Sequence, residues 1–262
     1  MKISRYPLYS FYSDLDYPCQ IDKGISIDAN DIVTDKLQTY NVSIEDEHHL
    51  NEADSCLKVD EDVTLPSQAS IAFIVACRLL KPTRVFIRYR VDSSNTVHKS
   101  RDDYSFSRNA EEIIDKGDFK TISELFIGLN KFKVINTRTG NATYFLGLAI
   151  RSRGWLESLI FYVCALETIT SSPNVENKIT EKFTNRIYNF IGYDQDKLKE
   201  IYNIRSKLVH GRYDFQSEEE NLRLNEIAEE VCRKVFSKIL LDTSNISAFE
   251  NDETRLKLFQ RA

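Results

Sequence analysis

The sequence predicts a mainly α protein in which a helical bundle follows a smaller N-terminal α+β region. Three observations predict it. Beyond about Lys120, apolar residues recur at helical spacing in one segment after another. Before that point one stretch, Val85 to Val91, alternates with period two. Glycine and aspartate fall where the helices should stop and start. The boundary drawn from these patterns puts residues 1–119 in the first region and 120–262 in the bundle.

The N-terminal 65 residues mix short apolar stretches with Asp, Asn and Ser, and Ser43 to Asp62 is dominated by acidic and polar residues. Weak strands, turns and a surface loop are expected there. Pro66-Ser67 then opens a segment with Ile71, Ile74, Val75, Leu79 and Leu80 at helical spacing, which predicts a largely buried helix. After Lys81-Pro82, Val85, Ile87, Tyr89 and Val91 alternate with Arg84, Phe86, Arg88 and Arg90, a strand with one apolar and one basic face. Two readings of that basic face stand side by side: an edge strand kept soluble by charge, or a surface that holds a phosphate backbone. The bundle should comprise helices near 120–132, 142–170, 176–191, 195–210 and 218–241, with Gly192 and Gly211 as stops and Asp194 as an N-cap. In the last, Ile227, Val231, Val235 and Ile239 recur every four residues beside Ala228, Cys232 and Phe236, a broad apolar stripe.

Composition narrows the function classes. With 262 residues there is room for one large domain or two small ones, and 42% hydrophobic with 29% charged residues excludes a disordered or collagen-like chain. The longest unbroken apolar run, Leu159 to Leu166, is far short of the roughly 20 residues of a membrane-spanning helix. Met1 to Pro7 has no apolar stretch of the secretory kind, so a cytoplasmic protein with no membrane partner is expected. Cys19, Cys56, Cys77, Cys164 and Cys232 lie at wide, unrelated spacings and read as reduced, structural thiols. A net charge of −5 provides no global pull onto nucleic acid. Locally, Arg78, Lys81, Arg84, Arg88, Arg90, Lys99 and Arg101 face only Asp92, which makes that stretch a candidate anion-binding surface.

Several familiar sites are missing: there is no P-loop, no Gly-x-Gly-x-x-Gly, no His-Glu-x-x-His and no Gly-x-Ser-x-Gly. His48 and His49 sit in an acidic tract without helical ligand spacing, and His98 lies in a polar segment, so no metal and no cofactor are expected. His210 ends the helix Ile201-Tyr202-Asn203-Ile204-Arg205-Ser206-Lys207-Leu208-Val209-His210-Gly211. On it Ile201, Ile204 and Leu208 form the apolar stripe, and Arg205 falls on that same stripe. Likewise Leu156, Leu159, Ile160 and Val163 are followed four residues later by Glu167. Two helices of one bundle therefore each aim one ionised group inward, and a bidentate Glu167–Arg205 pair would satisfy both. Such a pair is either purely architectural or part of a site.

Arg205 and His210 are five residues apart, roughly 140° around an ideal helix, so they converge in one chain only if the last turn loosens. An imidazole that exchanges protons near neutral pH, beside an always-charged guanidinium, suits RNA cleavage by the 2′-hydroxyl without a metal.

The run Tyr202 to Gly211, preceded by Ala165-Leu166-Glu167 about 40 positions earlier, resembles HEPN domains of the Apea-like branch. Their hallmark is an Arg, a polar residue, further residues and then a His, with four to six positions between Arg and His, met here by Arg205, Ser206 and His210. The resemblance covers residues 120–245 or so. It implies a homodimeric bundle with a composite, metal-independent endoribonuclease site, of the kind used by toxins or effectors in prokaryotic antiphage defence, with RNA (tRNA included) as substrate and an antitoxin or regulatory protein as a further partner. By carry-over, His210 moves protons, Arg205 binds the scissile phosphate, Glu167 orients Arg205 and Ser206 fills the polar position. Lys207, Arg212 and Tyr213, with Arg84, Arg88 and Arg90 of the basic strand, are the expected RNA contacts. Some HEPN toxins carry a modifiable Tyr two positions after the His; here it comes one residue late, at Tyr213, so that regulation is not carried over. The alternative is a non-catalytic HEPN module that binds RNA, a nucleotide or a protein partner.

Overall fold

The computed structural model describes residues 2–9, 11, 17–32, 50–63, 65–99, 114–174, 177–214 and 217–260. His48, His49 and Arg101 lie outside the described residues. The chain divides into two compact units within one helix, between residues 127 and 128. Each unit is taken by itself.

The first unit is built on an antiparallel sheet of β1 (Ile3–Tyr9), β2 (Cys19–Asp22), β3 (Ile25–Ala29), β4 (Ser55–Asp60), β5 (Phe86–Ile87), β6 (Tyr89–Val91) and β7 (Val97–Lys99). The spatial order is β2-β3-β4-β1-β6-β7, with β5 pairing β1 beside β6. The central pair is β1–β4, in register from Ile3 opposite Asp60 to Leu8 opposite Ser55. Helix α1 (Pro66–Leu80) packs on β4 and β5. Its first residue is a proline, which lacks the backbone N–H that a helix start would leave unpaired. A separate small core joins Tyr9, Ile32, Leu50, Ala53, Cys56, Tyr89 and Val91.

Two expectations are corrected here. Residues 55–60, in the acidic tract where weak strands, turns and a surface loop were expected without placement, form a well-defined strand, β4, whose Ser55, Cys56, Leu57 and Val59 are buried. The acidic residues around this short strand masked it. The β6 part of the basic strand is not an edge, lying between β1 and β7, while β5 pairs with β1 alone among the described strands; Val85, Ile87, Tyr89 and Val91 are all buried as the alternation requires.

The second unit is helical among its described residues. Helix α2 (Phe119–Phe132) carries the division between the units; it is followed by α3 (Thr137–Arg151), α4 (Trp155–Thr170), α5 (Ile179–Ile191), α6 (Gln195–Val209), α7 (Glu218–Leu240), α8 (Thr243–Ser247) and α9 (Asp252–Leu258). The chain is mainly α, as expected. The stretch expected as one helix over 142–170 is two: Ser152 leaves α3 in an extended conformation and Gly154 caps α4, so α3 and α4 fold back on each other. Asn136 starts α3 with a reciprocal capping box to Thr139. Asp194 accepts hydrogen bonds from the Asp196 and Lys197 amides at the start of α6, and Gly192 closes α5 at φ +68°. The long helix α7 packs on α4, burying Ile227, Val231, Cys232, Val235, Phe236 and Ile239. No described helix is long and apolar enough to cross a membrane.

Candidate functional site

Glu167, at the start of the last turn of α4, and Arg205, on α6, meet: the Arg205 Nη2 lies 2.7 Å from Glu167 Oε2. The pair is not the bidentate clamp that the spacing suggested. The second carboxylate oxygen, Oε1, instead accepts a hydrogen bond from the Tyr202 hydroxyl at 2.9 Å. Arg205 Nη2 also reaches Cys164 Sγ at 3.8 Å, one turn before Glu167 on α4. With side chains 22% and 25% exposed, the two ions sit at the margin of the bundle rather than in its core.

Tyr202 explains that placement. On α6 the fully inward positions are Leu198, Ile201 and Tyr202, and the Tyr202 ring packs on Phe183 of α5 with centroids 4.8 Å apart. Ile204 and Leu208, expected on the buried stripe, are only half-buried, and Val209 is 54% exposed. The helix thus leaves the core as it approaches His210. Sequence reading missed Tyr202 as a site residue; its position three residues before Arg205, on the same face, was the available signal.

Burial and the Glu167 charge push the Tyr202 phenol up to about 12. Burial alone would lower the Arg205 pKa, but the Glu167 carboxylate, helped by Cys164 and Tyr202, outweighs it and the net shift is upward. Arg205 is therefore a permanent cation. Its Nε is buried without a hydrogen-bond partner among the described residues, and no described residue hydrogen-bonds its Nη1. Nη1 is the end of the guanidinium left for an incoming anion.

The Tyr202 shift carries a sign. A phenol whose folded pKa lies above the unfolded value of about 10 contributes stability that is fully present below pH 10 and is lost as pH rises toward 12. Tyr202→Phe is expected to lose about 1 kcal/mol at neutral pH with the hydrogen bond. It should also flatten the alkaline fall in stability between pH 10 and 12, measured by urea midpoints at stepped pH.

His210 stands at the end of α6 with its side chain exposed, and no described residue hydrogen-bonds its ring. The last turn does not loosen. Gly211, at φ +64°, closes it with two backbone bonds, Gly211 N–H to Leu208 O at 3.2 Å and Arg212 N–H to Lys207 O at 2.8 Å. The helix itself ends at Val209, with His210 just beyond it at φ −93°, ψ 8°; on an ideal helix the five-residue separation from Arg205 corresponds to roughly 140° about the axis. Ser206 is half-buried and its carbonyl accepts the His210 amide. Lys207 and Arg212 are exposed beside His210. Tyr213 turns inward, donating its hydroxyl to Asn221 of α7 at 2.7 Å.

In the other unit two cations of the basic stretch, Lys81 and Arg90, have carboxylate partners. Arg90 bonds Ser4 Oγ at 3.0 Å and pairs with Glu61 at 3.4 Å. Lys81 pairs with Asp118 and, at 3.7 Å, with Asp115, while Arg78 is buried. Arg88 lies over the ring of Tyr89, 5.7 Å from its centroid, and Arg84 is exposed. His98 bonds the Asp92 carboxylate at 2.8 Å. Among the described residues no cluster of His, Cys, Asp and Glu is arranged to hold a metal ion. All five cysteines are free; Cys56, Cys77 and Cys232 are buried, and burial pushes the Cys56 thiol up to about 12.

No family model, curated protein or solved structure matches the chain.

Proposed function

We propose that the chain is a metal-independent endoribonuclease of HEPN type that cleaves RNA through the 2′-hydroxyl, acting in the cytoplasm as a toxin or effector in antiphage defence. The observation that carries this reading is the Glu167–Arg205 contact, which fixes a permanent cation five residues before an exposed histidine. In the reaction His210 takes the proton of the 2′-hydroxyl and the 2′-oxygen bonds to phosphorus. The bond from phosphorus to the 5′-oxygen breaks, and the leaving oxygen takes up a proton. The products are a 2′,3′-cyclic phosphate and a 5′-hydroxyl. Arg205, through Nη1, stabilises the charge that gathers on the non-bridging oxygens. Glu167 and Tyr202 hold the guanidinium from behind, and Lys207 and Arg212 supply backbone phosphate contacts.

The five-residue spacing of Arg205 and His210, roughly 140° on an ideal helix, supports a composite site. If Arg205 and His210 diverge within one chain, a phosphate held between them takes the Arg from one copy and the His from a second, which fits a homodimer. The half-buried Ile204 and Leu208 and the exposed Val209 give that second copy apolar surface to cover.

Mixing two inactive proteins tests both parts. Arg205→Ala and His210→Ala proteins, denatured together and refolded, should recover about a quarter of wild-type cleavage, because half the dimers are mixed and each has one complete site of two. Recovery of none, from a wild type that cuts, would place Arg205 and His210 in the same chain's site. A wild type that binds RNA or a protein without cutting would favour the non-catalytic module.

A further inference from the structure

The C-terminal end of α4 is built unlike the ends of α5 and α6. Those close on glycine; α4 runs into Ser171 at φ −69°, ψ 148°, an extended exit that leaves its final carbonyls without a turn to cap them. Arginines from three other helices take their place. Arg138 of α3 donates from Nη1 to Thr168 O at 2.8 Å, to Ser171 Oγ at 3.1 Å and to Ser171 O at 3.3 Å. Arg186 of α5 donates to Thr170 O at 2.8 Å. Arg255 of α9 donates to Ile169 O at 2.6 Å and to Ser171 O at 2.9 Å. Asp252 joins the clasp, 3.1 Å from Arg255 Nε and 3.5 Å from Arg138 Nε.

One glycine or one terminal cation suffices to end a helix. Here Arg255 is 1% exposed, and its burial, together with the charges of Arg138 and Arg186, works against its ionised form. Such a group is retained at a desolvation cost, and what it fixes is the position of one helical turn. That turn begins at Glu167, whose carbonyl accepts the Ser171 amide at 2.9 Å and whose carboxylate holds Arg205. Fraying of the turn would carry the carboxylate away from the guanidinium.

We infer that Arg255 is a positioning residue for the Glu167–Arg205 pair, acting from the C-terminal helix through the last turn of α4. Its catalytic consequence rests on the ribonuclease reading; the positioning itself does not. The test is a double-mutant cycle of Glu167→Gln and Arg205→Gln, read by urea unfolding in the wild-type background and again with Arg255→Lys, which keeps the charge but loses the planar fork. Arg138→Lys is the second background should Arg255→Lys not fold. The Glu167–Arg205 coupling is expected to change the unfolding equilibrium constant roughly tenfold in the wild type and less than about twofold with the clasp weakened. A clasp that only adds stability would shift all four proteins of the cycle equally and leave the coupling unchanged, which would overturn the inference. In RNA cleavage, Arg255→Lys should lower kcat by about tenfold with KM within about twofold. If the wild type cuts no RNA the ribonuclease reading falls, and the coupling measurement still decides the role of Arg255.

Discussion

His210→Ala is expected to lower RNA cleavage by about 10²–10⁴-fold, the span associated with removing a positioned proton-transfer group. Because the side chain is exposed and no described residue hydrogen-bonds its ring, the unfolding free energy should stay within about 0.5 kcal/mol of wild type. Arg205→Ala should cost about 10²–10³-fold in rate by removing the group that meets the phosphate charge. Unlike the histidine variant it should also be less stable, by about 1–3 kcal/mol, since Glu167 and the Tyr202 hydroxyl lose the cation that organises them. Measured side by side, rate and urea midpoint separate the two roles. A site residue that matters only for folding would lose both together, whereas His210 should lose rate alone.

Gly128→Ala is expected to be the most damaging small substitution in the bundle. Gly128 lies inside α2, where alanine would ordinarily gain about 1 kcal/mol from helix propensity. Here an added Cβ would run into the backbone carbonyl oxygen of Leu240 at the end of α7, and would sit 3.2 Å from both its carbonyl carbon and its Cβ. A backbone carbonyl cannot swing aside as a side-chain tip can. The two helices must separate, disturbing Phe132, which packs edge-on against Phe236 and Phe249 with centroids 6.3 and 4.9 Å away. A net loss of about 2–4 kcal/mol should follow, read as a lowered urea midpoint. A Gly128→Ala protein as stable as wild type would mean that α2 and α7 do not approach this closely.

Much of the bundle was legible because each helix carries its own signal. The four-residue recurrence in α7, the Asp194 cap and the glycines at 192 and 211 all act within a few residues of the feature they specify. The break at 152–154 was not, because Ser152-Arg153-Gly154 is short and the residues on both sides continue a helical pattern. In the sheet unit the alternation around Tyr89 was readable, but its neighbours were not, since pairing is set by distant residues such as Arg5 opposite Val91. β4 was hidden by local composition: Asp54, Asp60, Glu61 and Asp62 flank a buried strand.

In the candidate site, the meeting of Glu167 and Arg205 followed from two helical stripes that each received a charge. Its stoichiometry did not. Nothing local to residues 202 or 205 states that the tyrosine takes one carboxylate oxygen and thereby leaves the arginine at the bundle margin. The clasp around α4 was equally invisible, because Arg138, Arg186 and Arg255 are brought to one helix end only by the packing of four helices.

The most direct measurement is end-group analysis of RNA fragments by mass spectrometry after incubation with wild-type protein in EDTA, with folded His210→Ala protein alongside. Fragments ending in 2′,3′-cyclic phosphate with 5′-hydroxyl partners, formed by the wild type and not by the variant, are the predicted result. Fragments ending in 3′-hydroxyl and 5′-phosphate, or equal cutting by the two proteins, would contradict a 2′-hydroxyl mechanism centred on Arg205 and His210.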